Sequence, residues 1–179
     1  LADMYKNGFY VEKNIEKYEE LIELLYYRVR VDLEPFAPVP EIFTRFAAIK
    51  VKQGQIDDAI DLYIRAKEHL AERIQGNPFF GNFNIMKWLI DDLYNIMEFD
   101  ETYFDFYDLY YLLKSPHKIR FFYEEQSIIV ESVMEGEECT VNCNGKWYHD
   151  RDDFFRNSEI EGTRLSFVYY DLYDFEVLQ

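Results

Sequence analysis

Residues 40–75 read PEIFTRFAAIKVKQGQIDDAIDLYIRAKEHLAERIQ, with Gly54-Gln55-Ile56-Asp57-Asp58-Ala59-Ile60 near the centre. Apolar residues recur on both sides of Gly54 at three- and four-residue spacing, the period of an α-helix. The stretch predicts two helices joined by a tight turn and packed back on each other. Ala47 and Ala59 let antiparallel helices approach closely, while Phe43, Phe46 and Tyr63 fill the space beside them. Glycine suits the turn because it takes backbone conformations that a side chain resists.

Upstream, Gly8 closes a short helix. Asn14 stands as the N-cap of a longer one, with Lys17 rather than an acid at the third helical position, so the capping box is incomplete. Ile15, Tyr18, Leu21, Ile22, Leu25 and Tyr26 then follow at helical spacing. Pro35, Pro38 and Pro40 mark a connection into the central stretch. Downstream, Gly76 and Pro78 break the chain. The run NFNIMKWLIDDLYNIMEFD predicts a helix through about Glu98, and ETYFDFYDLYYLLKS predicts another, capped by Asp100.

Ser115-Pro116-His117 ends the helical part, and the hydrophobic period changes to two. Residues 119–124, 127–134, 138–143 and 146–149 read as short strands. Asn144-Gly145 is a strong two-residue hairpin signal. A short helix starts at Asp150 or Asp152, Gly162 marks a turn, and residues 165–175 form a last helix or strand. The fold class is α+β: antiparallel helical hairpins over residues 1–116, then a small acidic β-meander-plus-helix domain over residues 117–179.

Two stretches resemble known repeats. With Pro40 as first position, Phe43, Phe46, Ala47, Gly54, Ile56, Ala59, Tyr63 and Ala66 fall in the pattern of a tetratricopeptide repeat, with Lys50 in place of the usual tyrosine and no proline at Ala71. Residues 1–14 resemble a Sel-like repeat: Leu1, Met4, Tyr5, Gly8, Val11 and Asn14 are in register. Asp3, Tyr10 and Tyr18 depart from it, Tyr10 replacing the second glycine and Tyr18 the usual alanine. The resemblance implies a repeat array with hairpins at about 1–30, 40–75 and 82–114, the last pair serving as a cap. It also implies that part of the first unit precedes Leu1, consistent with a chain cut from a longer protein.

The formal net charge is −16. Residues 1–80 hold 14 acids and 11 bases, whereas residues 81–179 hold 21 acids and 8 bases, so the second half is the acidic one. That field repels nucleic acid and anionic membranes and attracts basic proteins. No apolar run approaches the roughly 18 residues of a membrane span. A cytoplasmic protein is expected, with Cys139 and Cys143 reduced.

Catalytic chemistry has little to stand on. Cys139 and Cys143, four apart on a strand, sit roughly 13 Å apart, too far to share a zinc ion even with His149 near one of them. His69, His117 and His149 have no motif-level nucleophile or orienting acid. Adjacent carboxylates such as Asp57-Asp58, Asp91-Asp92 and Asp152-Asp153 are what 35 acids produce by chance. There is no glycine-rich phosphate loop. No enzyme activity, cofactor or metal is expected.

Two acidic-aromatic runs, residues 100–111 and 169–176, combine tyrosines with carboxylates and suit lysine- or arginine-rich partners. Asp105, Tyr107, Asp108 and Tyr111 are the contact candidates there. The bland alternative is a core stripe, since Phe104, Tyr107, Tyr111 and Leu112 share helical spacing. The leading expectation is a non-catalytic scaffold that binds a peptide or protein in a helical-repeat groove. There Arg45, Lys50 and Lys52 would attract an acidic peptide. The second expectation is an acidic inhibitor, of the immunity-protein kind, that neutralises a basic protein such as a nuclease toxin through residues 81–179.

Overall fold

A computed structural model describes residues 1–31, 39–76, 80–136 and 138–178. It shows an α+β chain, helical first and then built on a five-stranded antiparallel sheet. The chain divides into two compact units, Leu1–Leu70 and Ala71–Gln179. The expected connection at Pro35 and Pro38 and the break at Pro78 lie outside the described residues.

In the first unit, α1 (Ala2–Asn7) ends at Gly8, whose φ of 74° is left-handed. The helix α2 (Ile15–Val31) starts where expected: the Asn14 side chain accepts the Lys17 N–H at 2.8 Å, satisfying one orphan donor of the first turn. Tyr18, Ile22 and Val29 turn inward, whereas Ile15 and Leu25 are exposed. The helices α3 (Val39–Lys52) and α4 (Ile56–Gly76) flank Gly54, which again holds a φ of 74°. Phe43, early on α3, meets His69, late on α4, edge to face at 6.0 Å. Ala47, Ala59 and Ala66 are fully buried, as close approach requires.

The second unit corrects the expected third helical pair. The helix α5 (Phe80–Tyr94) stops four residues short of Glu98, and residues 100–114 are mostly turns around one four-residue helix, α6 (Leu109–Leu112). Local polar bonds account for this. Asp100 accepts from the Thr102 N–H at 2.9 Å, and Asp105 accepts from the Tyr107 and Asp108 N–H groups at 2.9 and 3.3 Å. These bonds offer the backbone an alternative to the helical ladder. The division between the compact units falls at 70/71, so α5 lies in the same unit as the sheet.

The sheet runs in the order β4-β3-β2-β1-β7: β1 (Lys118–Tyr123), β2 (Gln126–Glu135), β3 (Glu138–Cys143), β4 (Lys146–Tyr148) and β7 (Leu172–Leu178). Asn144 and Gly145 both hold positive φ, 48° and 87°, as a type I′ turn demands. Asp150 caps α7 (Arg151–Asn157) by accepting the Asp153 N–H at 2.7 Å. A small hairpin, β5 (Glu159–Ile160) and β6 (Thr163–Arg164), turns at Glu161-Gly162, and two 3₁₀ turns, Leu165–Phe167 and Tyr169–Asp171, follow. The four-stranded meander thus leads into α7, and the last segment of the chain is a strand rather than a helix. The last strand, β7, returns to pair antiparallel with β1.

Strand alternation sends Ile119, Phe121, Ile128, Val130, Val141, Cys143 and Tyr148 to the covered face. Phe121 stacks on Phe175 at 4.9 Å, and Tyr148 meets Phe154 of α7 at 5.6 Å. Asp174, with a φ of 54°, is the extra residue of a bulge where the β1–β7 register shifts between Arg120 and Phe122.

Both cysteines lie free on β3. Burial lifts the Cys143 thiol to about 12, with Lys146 pulling weakly the other way. Burial also raises the less covered Cys139, whose Sγ donates to the Leu113 carbonyl. In native protein near pH 8, a thiol reagent is expected to modify Cys143 about tenfold or more slowly than Cys139. Equal rates would show that the covered face of β3 is open.

Candidate partner-binding surface

The cations expected to line a groove are already engaged within the first unit. Arg45 pairs with Asp3 at 3.2 Å and Lys52 with Glu19 at 3.3 Å. Lys50 donates to Gln55 Oε1 at 2.7 Å and lies over the Phe46 ring at 5.1 Å. The first two ion pairs are solvent-exposed and contribute little to stability. Each of these three cations thus has a partner within the unit that an acidic peptide would have to displace.

The acidic-aromatic candidates are redistributed too. Tyr107 is 1% exposed and Asp108 is 2% exposed, so both side chains are packed inside the unit. Asp108 accepts the Tyr94 hydroxyl at 2.8 Å and the Asp105 N–H at 3.0 Å, and Asp105 returns the favour to the following backbone. Burial first, then the Asp108 carboxylate, pushes the Tyr94 phenol well above its ordinary range. Tyr107 packs against Phe106 and Tyr169. Tyr111 stacks on Phe99 at 5.4 Å and borders an open groove of about 340 Å³ with Glu101 and His117. Tyr111 thus borders open space, whereas Tyr107 and Asp108 are covered.

Sequence reasoning missed a polar cluster under α7. Asp152 accepts from Lys87 Nζ and from the Tyr110 hydroxyl at 2.9 Å, with Arg156 at 3.7 Å. Arg151 stacks on the Tyr110 ring at 4.2 Å and donates to the Tyr110 carbonyl. Beside the cluster is a cavity of about 10 Å³, room for about one water. Burial alone would raise the Asp152 carboxyl, but the Lys87 and Tyr110 hydrogen bonds and the Lys87 and Arg156 charges outweigh it and hold it below its ordinary value. No sequence signal could expose this cluster, because Lys87 and Asp152 are 65 residues apart.

The cluster belongs to a wider pattern. Lys87, Lys114, Lys118, Arg120, Lys146 and Arg156 each sit in an ion pair with a carboxylate of the same unit. Arg151 is held by Tyr110, and Arg164 lies over Phe167. Every base of residues 81–179 is thus taken up within the unit, while the acids outnumber them. Glu124, Glu125, Glu161, Asp171 and Asp174 are exposed and take part in none of these ion pairs.

These five carboxylates gather at one end of the sheet. Glu124 and Glu125 form the β1–β2 turn, Asp171 and Asp174 flank the start of β7, and Gln126 donates to Glu161. The Tyr173 hydroxyl donates to the Glu124 carbonyl, tying β7 to that turn. Tyr170 and Tyr173 stand in the same region, 56% and 44% exposed. The arrangement presents hydroxyl-tipped rings among unpaired negative charges.

Among the described residues, no group of three or more His, Cys, Asp or Glu side chains could hold a metal ion, and no helix is long and apolar enough to cross a membrane. Comparison with family models, curated proteins and solved structures gives no match to this chain.

Proposed function

We propose that the chain is a non-catalytic protein-binding module whose partner is basic. The single observation that carries this is the charge asymmetry of the second unit. Its bases are taken up internally, and unpaired carboxylates with two exposed tyrosines cluster at one end of the sheet. Lysine and arginine side chains find both ion-pair and cation–π partners on such a surface. The tetratricopeptide and Sel-like resemblance supports the scaffold part of the reading. Tyr10, where the Sel-like pattern has its second glycine, holds the left-handed φ of 62° that a glycine adopts readily. The more specific form is an inhibitor that covers the active surface of a basic nuclease, and it rests on the same end of the sheet.

The test is a binding titration of the full chain against a basic nuclease of pI above about 9, with a neutral protein as control. Binding is expected at about 50 mM salt and a loss of tenfold or more in affinity by about 300 mM, because exposed charges are screened over about 10 Å at 0.1 M. The triple variant Glu124→Lys/Asp171→Lys/Asp174→Lys is expected to weaken binding by about 30-fold, three rim contacts of about 0.7 kcal/mol each. No binding at low salt, or equal binding by the triple variant, would overturn the reading. Loss of nuclease activity in the complex would select the inhibitor form, and binding without inhibition the scaffold form.

A further inference from the structure

The first unit has an open groove of about 310 Å³ between α2 and α3, at the lower end of the roughly 300–1,000 Å³ typical of ligand pockets. One wall is Glu16, Glu19, Glu20 and Glu23. Spacings of three, four and seven put all four on one stripe of α2, about 10 Å long. Glu20 pairs with Lys17 at 2.7 Å and Glu19 with Lys52 at 3.3 Å, so two of the four are neutralised. Glu16 and Glu23, at the two ends of the stripe, have no ion pair among the described residues. The floor is apolar, made by Phe46 and Ile49 of α3.

What already occupies this floor shows its chemistry. The Phe46 ring stacks with Tyr26 at 4.5 Å and carries the Lys50 ammonium at 5.1 Å. Lys50 is steadied by Gln55 and stands beside the carboxylate wall. A cation over an aromatic face, next to carboxylates, is the arrangement that recognises a basic side chain. The groove holds the chain's own lysine in that position, and Phe46 is only 5% exposed with Lys50 in place.

We propose that this groove is a docking site for an arginine side chain from an extended or helical segment of a protein partner, which displaces Lys50 from the Phe46 ring. The guanidinium fits better than an ammonium, because its plane stacks on the ring while its edges reach a carboxylate on the wall. Lys50 is then a competitor that tunes affinity, the opposite of an attractor for acidic peptides. The site rests on the reading above that the partner is basic, but it lies on the first unit and is tested separately.

The probe is a short capped alanine-based peptide with two arginines four residues apart, against the same peptide with lysine or glutamate in their place. Binding to the full chain is followed by isothermal titration and by the ring-proton shifts of Phe46 and Tyr26. Lys50→Ala is expected to strengthen arginine-peptide binding by about fivefold, freeing the ring and removing a like charge. Glu16→Gln/Glu23→Gln is expected to weaken it by about tenfold, the lysine peptide to bind less tightly than the arginine one, and the glutamate peptide not to bind. All three substitutions are on exposed or half-exposed helix positions, and circular dichroism checks that the helices remain. The proposal is overturned if Lys50→Ala weakens or leaves arginine binding unchanged, if the double glutamine variant binds as wild type, or if no peptide moves the Phe46 ring signals. If these variants still bind the basic nuclease with wild-type salt dependence, the groove fails while the reading of the second unit stands. If wild type ignores the nuclease but takes the arginine peptide as described, the reverse holds.

Discussion

Replacing Asp152 with alanine is expected to lower the unfolding free energy of the second unit by about 3 kcal/mol. The substitution leaves the Lys87 ammonium, 26% exposed, without its carboxylate and the Tyr110 hydroxyl without its acceptor. Removing one partner of a buried pair costs about 3–5 kcal/mol, and partial exposure places this pair at the lower end. Asp152→Asn keeps an oxygen for Tyr110 and is expected to cost about half as much. Urea unfolding followed by tryptophan fluorescence reads this unit selectively, since Trp88 and Trp147, the chain's two tryptophans, both lie in it.

The pH dependence has a definite sign. The Asp152 carboxyl is held below its ordinary value in the folded state, so its contribution is complete above the unfolded value of about 4 and disappears as pH falls through the lower folded value. Between about pH 4 and 2, wild type should therefore lose more stability than Asp152→Asn. Parallel acid-unfolding curves would show that Lys87 and Arg156 do not bear on this carboxylate.

The second large effect concerns Asp108. Asp108→Ala is expected to destabilise the unit by about 2–4 kcal/mol, because the Tyr94 hydroxyl and the Asp105 N–H both lose a buried acceptor. Asp108→Asn does not rescue the site fully: its amide presents a donor to one of two donors. A residue that contacts a partner would behave differently, losing affinity while keeping stability. Urea unfolding together with the nuclease titration separates the two roles. Unchanged stability with lost binding would return Asp108 to the partner surface.

The elements that local chemistry specifies were legible in the sequence. Asn14 and Asp150 cap their helices, Gly54 and Asn144-Gly145 make their turns, and alternation between residues 118 and 148 fixes which strand face is covered. Residues 100–114 misled because Phe104, Tyr107 and Tyr111 copy a helical stripe. The real packing spreads the aromatics: Phe104 meets Phe175, Phe106 meets Phe155, and Tyr107 meets Tyr169. No single helix face serves those three directions. The Asp174 bulge had no glycine to announce it.

The candidate site was less legible, for a related reason. Whether a surface cation is free depends on partners distant in sequence. Arg45 meets an acid 42 residues away and Lys52 one 33 residues away. The net charge of residues 81–179 could be counted, but which carboxylates stay unpaired could not. The division into two units was hidden as well, because α5 carries no mark showing that Lys87 and Met86 belong with Tyr110 and Phe155.

The return of β7 to β1 sets an order on the birth of this unit. β1 pairs with β2 across a two-residue turn, but its other edge waits for residues about fifty positions later. While the chain emerges from the ribosome, that edge offers unpaired backbone groups, and Phe121 lacks the ring of Phe175. In the four-stranded meander β1 is thus an edge strand, and pairing that edge with β7 needs a long loop to be brought home, which is slow. The same tail that carries Asp171, Tyr173 and Asp174 finishes the sheet. The acidic end of the sheet is therefore assembled only by a chain that has completed its fold.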